Sequence, residues 1–231
     1  MQRLILFDID GTLLTARSAP RRAFERGMRE VYGTTGPIAT HSFAGKTDPQ
    51  IARELLCLEG LDDATIDAGL PRLWDVYVRE LERELAAAEH RTHVYPGVRG
   101  LLQALDERDA DVCVGLLTGN IEPGAGLKLE SAKLRHHFRL GVYGSDCEQR
   151  DGLPPIAVER ALALTGISFN GTDVVVIGDT PSDVTCGRAL GVRAVAVATG
   201  GHDRAALEAA GAAVVFDDLG DTTAVLDALL A

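Results

Sequence analysis

The sequence predicts an α/β fold: a doubly wound, mainly parallel sheet with a helical insertion after its first strand. Three observations predict it. Short apolar runs recur along the chain, helical spacing fills the gaps between the later runs, and one long stretch after the first run offers helices but no strand. Runs that are apolar nearly throughout are what parallel strands look like when helices cover both faces of their sheet. Strands alternating with helices make that sheet doubly wound.

The first run is "RLILFDI" at 3–9. It is followed by three helical stretches, "PRRAFERGMREVYG", "DPQIARELLCLEG" and "LPRLWDVYVRELERELAAAEH", between the turn-rich connectors "TARSAP" and "THVYPG". Residues 16–92 are therefore read as an all-helical insertion, and 1–15 with 93–231 as the α/β core. The charged "RELERELAAAE" reads as a solvated helix face, since opposite charges at i,i+4-type spacing usually lie in water. Beyond the insertion, strands at 111–117, 173–179, 193–199 and 212–216 are interleaved with helices at 98–109, 123–136, 154–165, 181–190 and 203–210.

Composition narrows the function. A chain of 231 residues with 46% hydrophobic and 25% charged residues is an ordinary globular protein, long enough for one large domain or one with an insertion. A formal net charge of -11 opposes encounter with nucleic acid or an anionic membrane. An anionic substrate would then need a local remedy such as a metal ion. The four cysteines, Cys57, Cys113, Cys147 and Cys186, form no C-x-x-C pair, so neither a zinc site nor a redox motif is indicated. With no signal-peptide pattern and no apolar run near 18 residues, the expectation is a cytoplasmic protein.

Three polar clusters each follow an apolar run: Asp8 with Asp10, then Thr118-Gly119-Asn120, then "GDTPSD" at 178–183. Ligands of open α/β sheets bind beyond the carboxyl ends of strands where strand order reverses, so all three clusters can share one crevice. Asp8, Asp10, Asp179 and Asp183 would then meet there, and like charges that close cannot all stay ionised without a cation. Magnesium suits this set, because it takes one or two carboxylates, keeps waters and accepts a phosphate oxygen. A lone Asp usually caps a helix or makes a turn; four converging ones do not fit that reading. Thr118-Gly119-Asn120, ending a strand before a helix, offers a hydroxyl and free N–H groups suited to a phosphate.

These residues resemble the haloacid dehalogenase superfamily of phosphohydrolases. Its first motif is matched by "DIDGT" at 8–12, its second by "LLTGN" at 116–120 and its fourth by "GDTPSD" at 178–183. The insertion is similar to the small cap of the phosphoglycolate phosphatase and β-phosphoglucomutase branch, with "GKTDPQI" at 45–51 resembling a cap segment. The resemblance implies a magnesium-dependent phosphatase acting on a small phosphorylated metabolite. Asp8 would be the nucleophile, and Asp10 would protonate the leaving alcohol and later take a proton from water. Magnesium would be held by the Asp8 carboxylate, the Asp10 carbonyl and Asp179, with Asp183 in support. Thr118, Gly119 and Asn120 would hold phosphoryl oxygens.

The third motif departs from the family pattern. Where the family has a lysine, this chain reads "DCEQRDGLPPIAVERA", and Arg150 is assigned to the phosphate in its place. Lys128 is the rival, but it stands about two turns into the helix after "TGN", which argues against its reach. Lys46 reads as a solvated lysine of the insertion. Two alternatives stay open at this level: a phosphomutase of the same fold, and a non-enzymatic phospho-acceptor module using the same acidic pocket. A dehalogenase is disfavoured by the second carboxylate of the first motif, Asp10.

Overall fold

The structure is a computed structural model and describes residues 2–87 and 89–231. Its strands are β1 (Arg3–Phe7), β2 (Leu14–Thr15), β3 (His93–Val94), β4 (Val112–Leu117), β5 (Leu140–Val142), β6 (Val174–Gly178), β7 (Arg193–Val197) and β8 (Val214–Phe216). Six of them form one sheet in the order β5-β4-β1-β6-β7-β8, with every pairing parallel. The chain builds outward from β1 through β4 to β5, then returns to β6 on the other side of β1. Strand order therefore reverses at β1, and the crevice between β4 and β6 opens over its carboxyl end.

The central strands are apolar on both faces because both faces are covered. Leu4, Ile5, Leu6 and Phe7 are all 0% exposed. Ile5 and Phe7 belong to a cluster with α4 (Val98–Asp106), α5 (Glu122–Ala132) and α9 (Thr222–Leu230), whereas Leu4 and Leu6 pack toward α6 (Leu153–Thr165). The remaining core helices, α7 (Pro181–Cys186) and α8 (Arg204–Ala209), cover β7 and β8.

The insertion forms α1 (Ala19–Tyr32), α2 (Asp48–Leu58) and α3 (Asp63–Ala86). These helices bury an apolar cluster of their own, including Phe24, Met28, Leu55, Leu73 and Tyr77, to which the rest of the chain contributes Ile121. The two crossings into and out of the insertion are held together. β2 and β3 pair antiparallel, Leu14 opposite Val94 and Thr15 opposite His93, and the Tyr95 N–H donates to the Leu13 carbonyl at 3.1 Å.

Several expectations are corrected. The runs beginning at 3 and 173 end as strands at Phe7 and Gly178, with Asp8 and Asp179 next in the chain and lining the crevice. β5 and α9 were not announced by the sequence. Glu80 and Glu84, expected on a solvated face, are buried, since Arg22 and Arg26 of α1 lie across α3 and pair with them. No described helix is long and apolar enough to cross a membrane, and all four cysteines are free.

Candidate active site

Each acidic cluster sits where its strand ends. The Asp8 N–H still donates to the Ile177 carbonyl at 2.9 Å, which fixes the backbone from which its side chain enters the crevice. The chain then reverses at Gly11, whose φ is +89°, a conformation that favours glycine. A Cβ at that position would stand 2.3 Å from Asp179 Oδ2, so the close approach of the β1 turn to Asp179 also requires glycine. Thr12, in the same turn, donates its hydroxyl to Asp179 Oδ1 at 3.1 Å.

Oxygens of Asp8, Asp179 and Asp183 lie within 4.8 Å of one another, and all three residues are buried. Burial pushes the Asp8 carboxyl up to about 7, against the pull of Arg150 and with added repulsion from Asp183 and Asp10. Burial, then the charges of Asp8 and Asp183, push Asp179 up to about 8. Asp183 is anchored differently. It closes a capping box at the start of α7, accepting from the Thr180 N–H at 3.0 Å and the Thr180 hydroxyl at 2.6 Å.

Arg150 enters from the turn before α6. Its Nη2 lies 3.1 Å from Asp8 Oδ1 and also donates to Asp183 Oδ1. It is buried, and among the described residues its Nε is the buried side-chain polar atom left without a hydrogen-bond partner. One guanidinium against three carboxylates leaves a formal excess of two negative charges in this pocket. All its oxygen donors are hard, so the set fits a divalent cation of the magnesium type.

Asp10 belongs to a second, adjoining network. Its Oδ2 accepts from Asn120 Nδ2 at 2.9 Å and from Lys128 Nζ at 2.6 Å, while Lys128 Nζ also donates to Asn120 Oδ1 at 2.5 Å. Lys128, expected to fall short of the site, does reach it. Helical side chains lean toward the N-terminus of their helix, and a buried lysine stem spans the remaining turn of α5. Arg150 and Lys128 thus serve different acids: Arg150 meets Asp8 and Asp183, and Lys128 meets Asp10. Thr118 Oγ1 accepts from Asn120 Nδ2 at 2.8 Å, and the Gly119 N–H has no partner among the described residues.

The two networks form the floor of a cavity of about 550 Å³ that the insertion roofs with Phe24, Phe43, Lys46 and Tyr77. Lys46 is not freely solvated. It pairs with Glu54 and lies 3.3 Å from His41 Nε2. Sequence reasoning missed Tyr77, which is 1% exposed yet lines the cavity, with a hydroxyl that has no partner among the described residues. It also missed Asp48, whose place at the head of α2 resembles an ordinary helix start.

A parallel sheet reversing at β1, with an acidic pocket beyond its central strands, defines a protein of the doubly wound α/β class with its ligand crevice at the switch point. The chain belongs to the haloacid dehalogenase-like hydrolase family, which it matches over residues 5–197. It is 28% identical over 224 residues to a phosphoglycolate phosphatase of Pseudomonas putida, covering 95% of this chain and 78% of that protein. To a phosphoglycolate phosphatase of Rhodospirillum rubrum it is 30% identical over 230 residues, covering 96% and 90%. Its fold matches the crystal structure of a hydrolase from Pseudomonas syringae with a TM-score of 0.73 at 23% identity, covering 100% of both chains.

Proposed function

We propose that the protein is a magnesium-dependent phosphatase that hydrolyses a small phosphomonoester through an aspartyl-phosphate on Asp8. The observation that carries this reading is the buried convergence of Asp8, Asp179, Asp183 and Arg150 beside the Asp10 network. Relatives named phosphoglycolate phosphatases support it. Asp8 attacks phosphorus while the ester oxygen departs with a proton from Asp10. Water then attacks the phosphoryl-Asp8 phosphorus, gives a proton to Asp10 and restores the Asp8 carboxylate. Because Asn120 and Lys128 occupy Asp10 Oδ2, Oδ1 is left for that proton traffic.

Thr118, Gly119 and Asn120 would hold the transferring phosphoryl oxygens, with the unpartnered Gly119 N–H aimed at one of them, and Arg150 would add its charge. Asp8, Asp179 and the Asp10 carbonyl would hold the metal, with Asp183 orienting Arg150 beside them. A bound divalent ion supplies the charge that lets anionic substrate approach anionic nucleophile. Residues 16–92 would act as a cap on the core formed by 1–15 and 93–231. Its aromatic roof keeps water from the phosphoryl group and limits the leaving group to a compact one. The test is a panel of phosphorylated metabolites, including phosphoglycolate and hexose phosphates, assayed for released phosphate. Release that needs magnesium and stops with EDTA is expected; no release from any member would overturn the proposal.

A stability measurement follows from the same site. Asp8 and Asp179, pushed up to about 7 and about 8 from an ordinary 3.8, keep protons in the folded, metal-free protein that the unfolded chain has already lost. Folding without metal is therefore progressively weakened as pH rises from about 4 to about 8. Magnesium replaces those protons, so it stabilises more at the upper end of that window. At about ten times its Kd it adds about 1.4 kcal/mol, or about 3–6 °C in Tm for a chain of this size. At one fixed magnesium concentration the expected Tm increment is larger near pH 8 than near pH 6, where protons compete for the same carboxylates, and equal increments would count against the site.

A further inference from the structure

The helix that carries Lys128 has an unusual start. α5 is preceded by Ile121 at its N-cap position, a residue with no side-chain acceptor for the orphan N–H groups of a first turn. Acceptors come from elsewhere in the chain. The Ile121 N–H donates to Asp48 Oδ2 at 2.9 Å, and the Glu122 N–H to Ser145 Oγ at 3.2 Å. Asp48 is the first residue of α2, in the insertion.

The same residue grips the loop a second time. The Asp48 N–H donates to the Gly119 carbonyl at 2.7 Å. Just before it, the Lys46 carbonyl oxygen lies 2.1 Å from where a Cβ on residue 119 would be, so only glycine admits the approach. Thr47 completes the contact by donating its hydroxyl to the Glu148 carbonyl at 2.6 Å. Residues 46–48 thus hold the backbone at 119 and at 121, on either side of Asn120. Asn120 is the side chain that ties Thr118 to Asp10.

We propose that Asp48 is a positioning residue: its carboxylate supplies the missing cap of α5 and thereby fixes Thr118-Gly119-Asn120 in reacting geometry only while the helical insertion is seated on the core. This rests on the phosphatase reading for its kinetic consequence but not for its structural one. With the insertion lifted, the Ile121 N–H and Gly119 carbonyl lose their partners together, and the loop that holds the phosphoryl oxygens loosens.

The test uses Asp48→Ala and Asp48→Asn in the full chain with magnesium and a small aryl phosphate. Alanine removes the acceptor, whereas asparagine keeps a carbonyl oxygen where the N–H of Ile121 points. Asp48→Ala is expected to lower kcat by about ten- to hundredfold, the usual effect of a misplacement of about 1 Å, with KM moving by less than about threefold. Asp48→Asn is expected to recover kcat to within about threefold of wild type. A lowered Tm with unchanged kcat, or equal impairment by both substitutions, overturns the proposal.

Amide hydrogen exchange separates this failure from failure of the phosphatase reading. In wild type the Ile121 amide should exchange as slowly as the interior of α5, in Asp48→Asn it should stay protected, and in Asp48→Ala it should exchange at least about tenfold faster, whatever the activity. An unprotected Ile121 amide in wild type overturns the proposal even if the alanine variant does not fold.

Discussion

Asp8→Asn is expected to lower phosphate release by about 10³-fold or more while leaving the protein folded. An amide nitrogen or oxygen does not replace a carboxylate as nucleophile at phosphorus, so the covalent route is lost outright rather than slowed. Asp8 is buried and its carboxyl is pushed up to about 7, which means that the folded protein bears a penalty for ionising it. Asparagine has nearly the same shape and no charge. At about pH 8 without metal, the variant should unfold at the same temperature as wild type or higher, because Arg150 keeps Asp183 as a partner. Phosphate release and thermal denaturation on one preparation decide it. Turnover within tenfold of wild type would show that Asp8 is not the nucleophile, and lost activity with a lowered Tm near pH 8 would make its role structural.

The sequence revealed most of the fold where burial is two-sided. β1, β4 and β6 are apolar along their length because neighbours flank them and helices cover them, and their acids stand out against that background. β5 stays hidden for the opposite reason: it has three residues, lies at the sheet edge and pairs only with β4. Within the site, carboxylates that follow strands are legible because the strand sets their direction. Lys128 and Asp48 are not, because what they touch depends on how two helices meet. The reach of Lys128 is decided by the lean of its stem along α5. Asp48 offers a carboxylate that could cap its own helix, yet it caps another, 73 residues further along the chain. Glu80 and Glu84 make the same point, since Arg22 and Arg26 reach them only through the packing of α1 across α3.

Arg150 is the position where charge balance is most exposed to test, and Arg150→Met should be the most destabilising change at this site. The guanidinium bonds Asp8 and Asp183 in a buried pocket that also holds Asp179. Removing one partner of a buried ion pair typically costs about 3–5 kcal/mol, because the remaining charges keep their desolvation penalty and lose their attraction. For a chain of this size that is a fall in Tm of about 6–20 °C. The loss should grow with pH. Asp8 and Asp179 are already pushed up to about 7 and about 8 with Arg150 present, and without it Asp8 rises further. Near pH 5 the variant escapes much of the penalty by holding protons, and near pH 8 it does not. Arg150→Lys keeps a cation and discards the unpartnered Nε, and because a single nitrogen, Nη2, meets both Asp8 and Asp183, an ammonium brought to that point can take over both contacts. It should regain most of the lost stability and turn over within about tenfold of wild type, with Arg150→Met at least about 10²-fold down. A methionine variant as stable as wild type near pH 8 would mean that this cation does not balance the pocket. A deficit independent of pH would assign the loss to packing, because only charge couples Arg150 to the protons on Asp8 and Asp179.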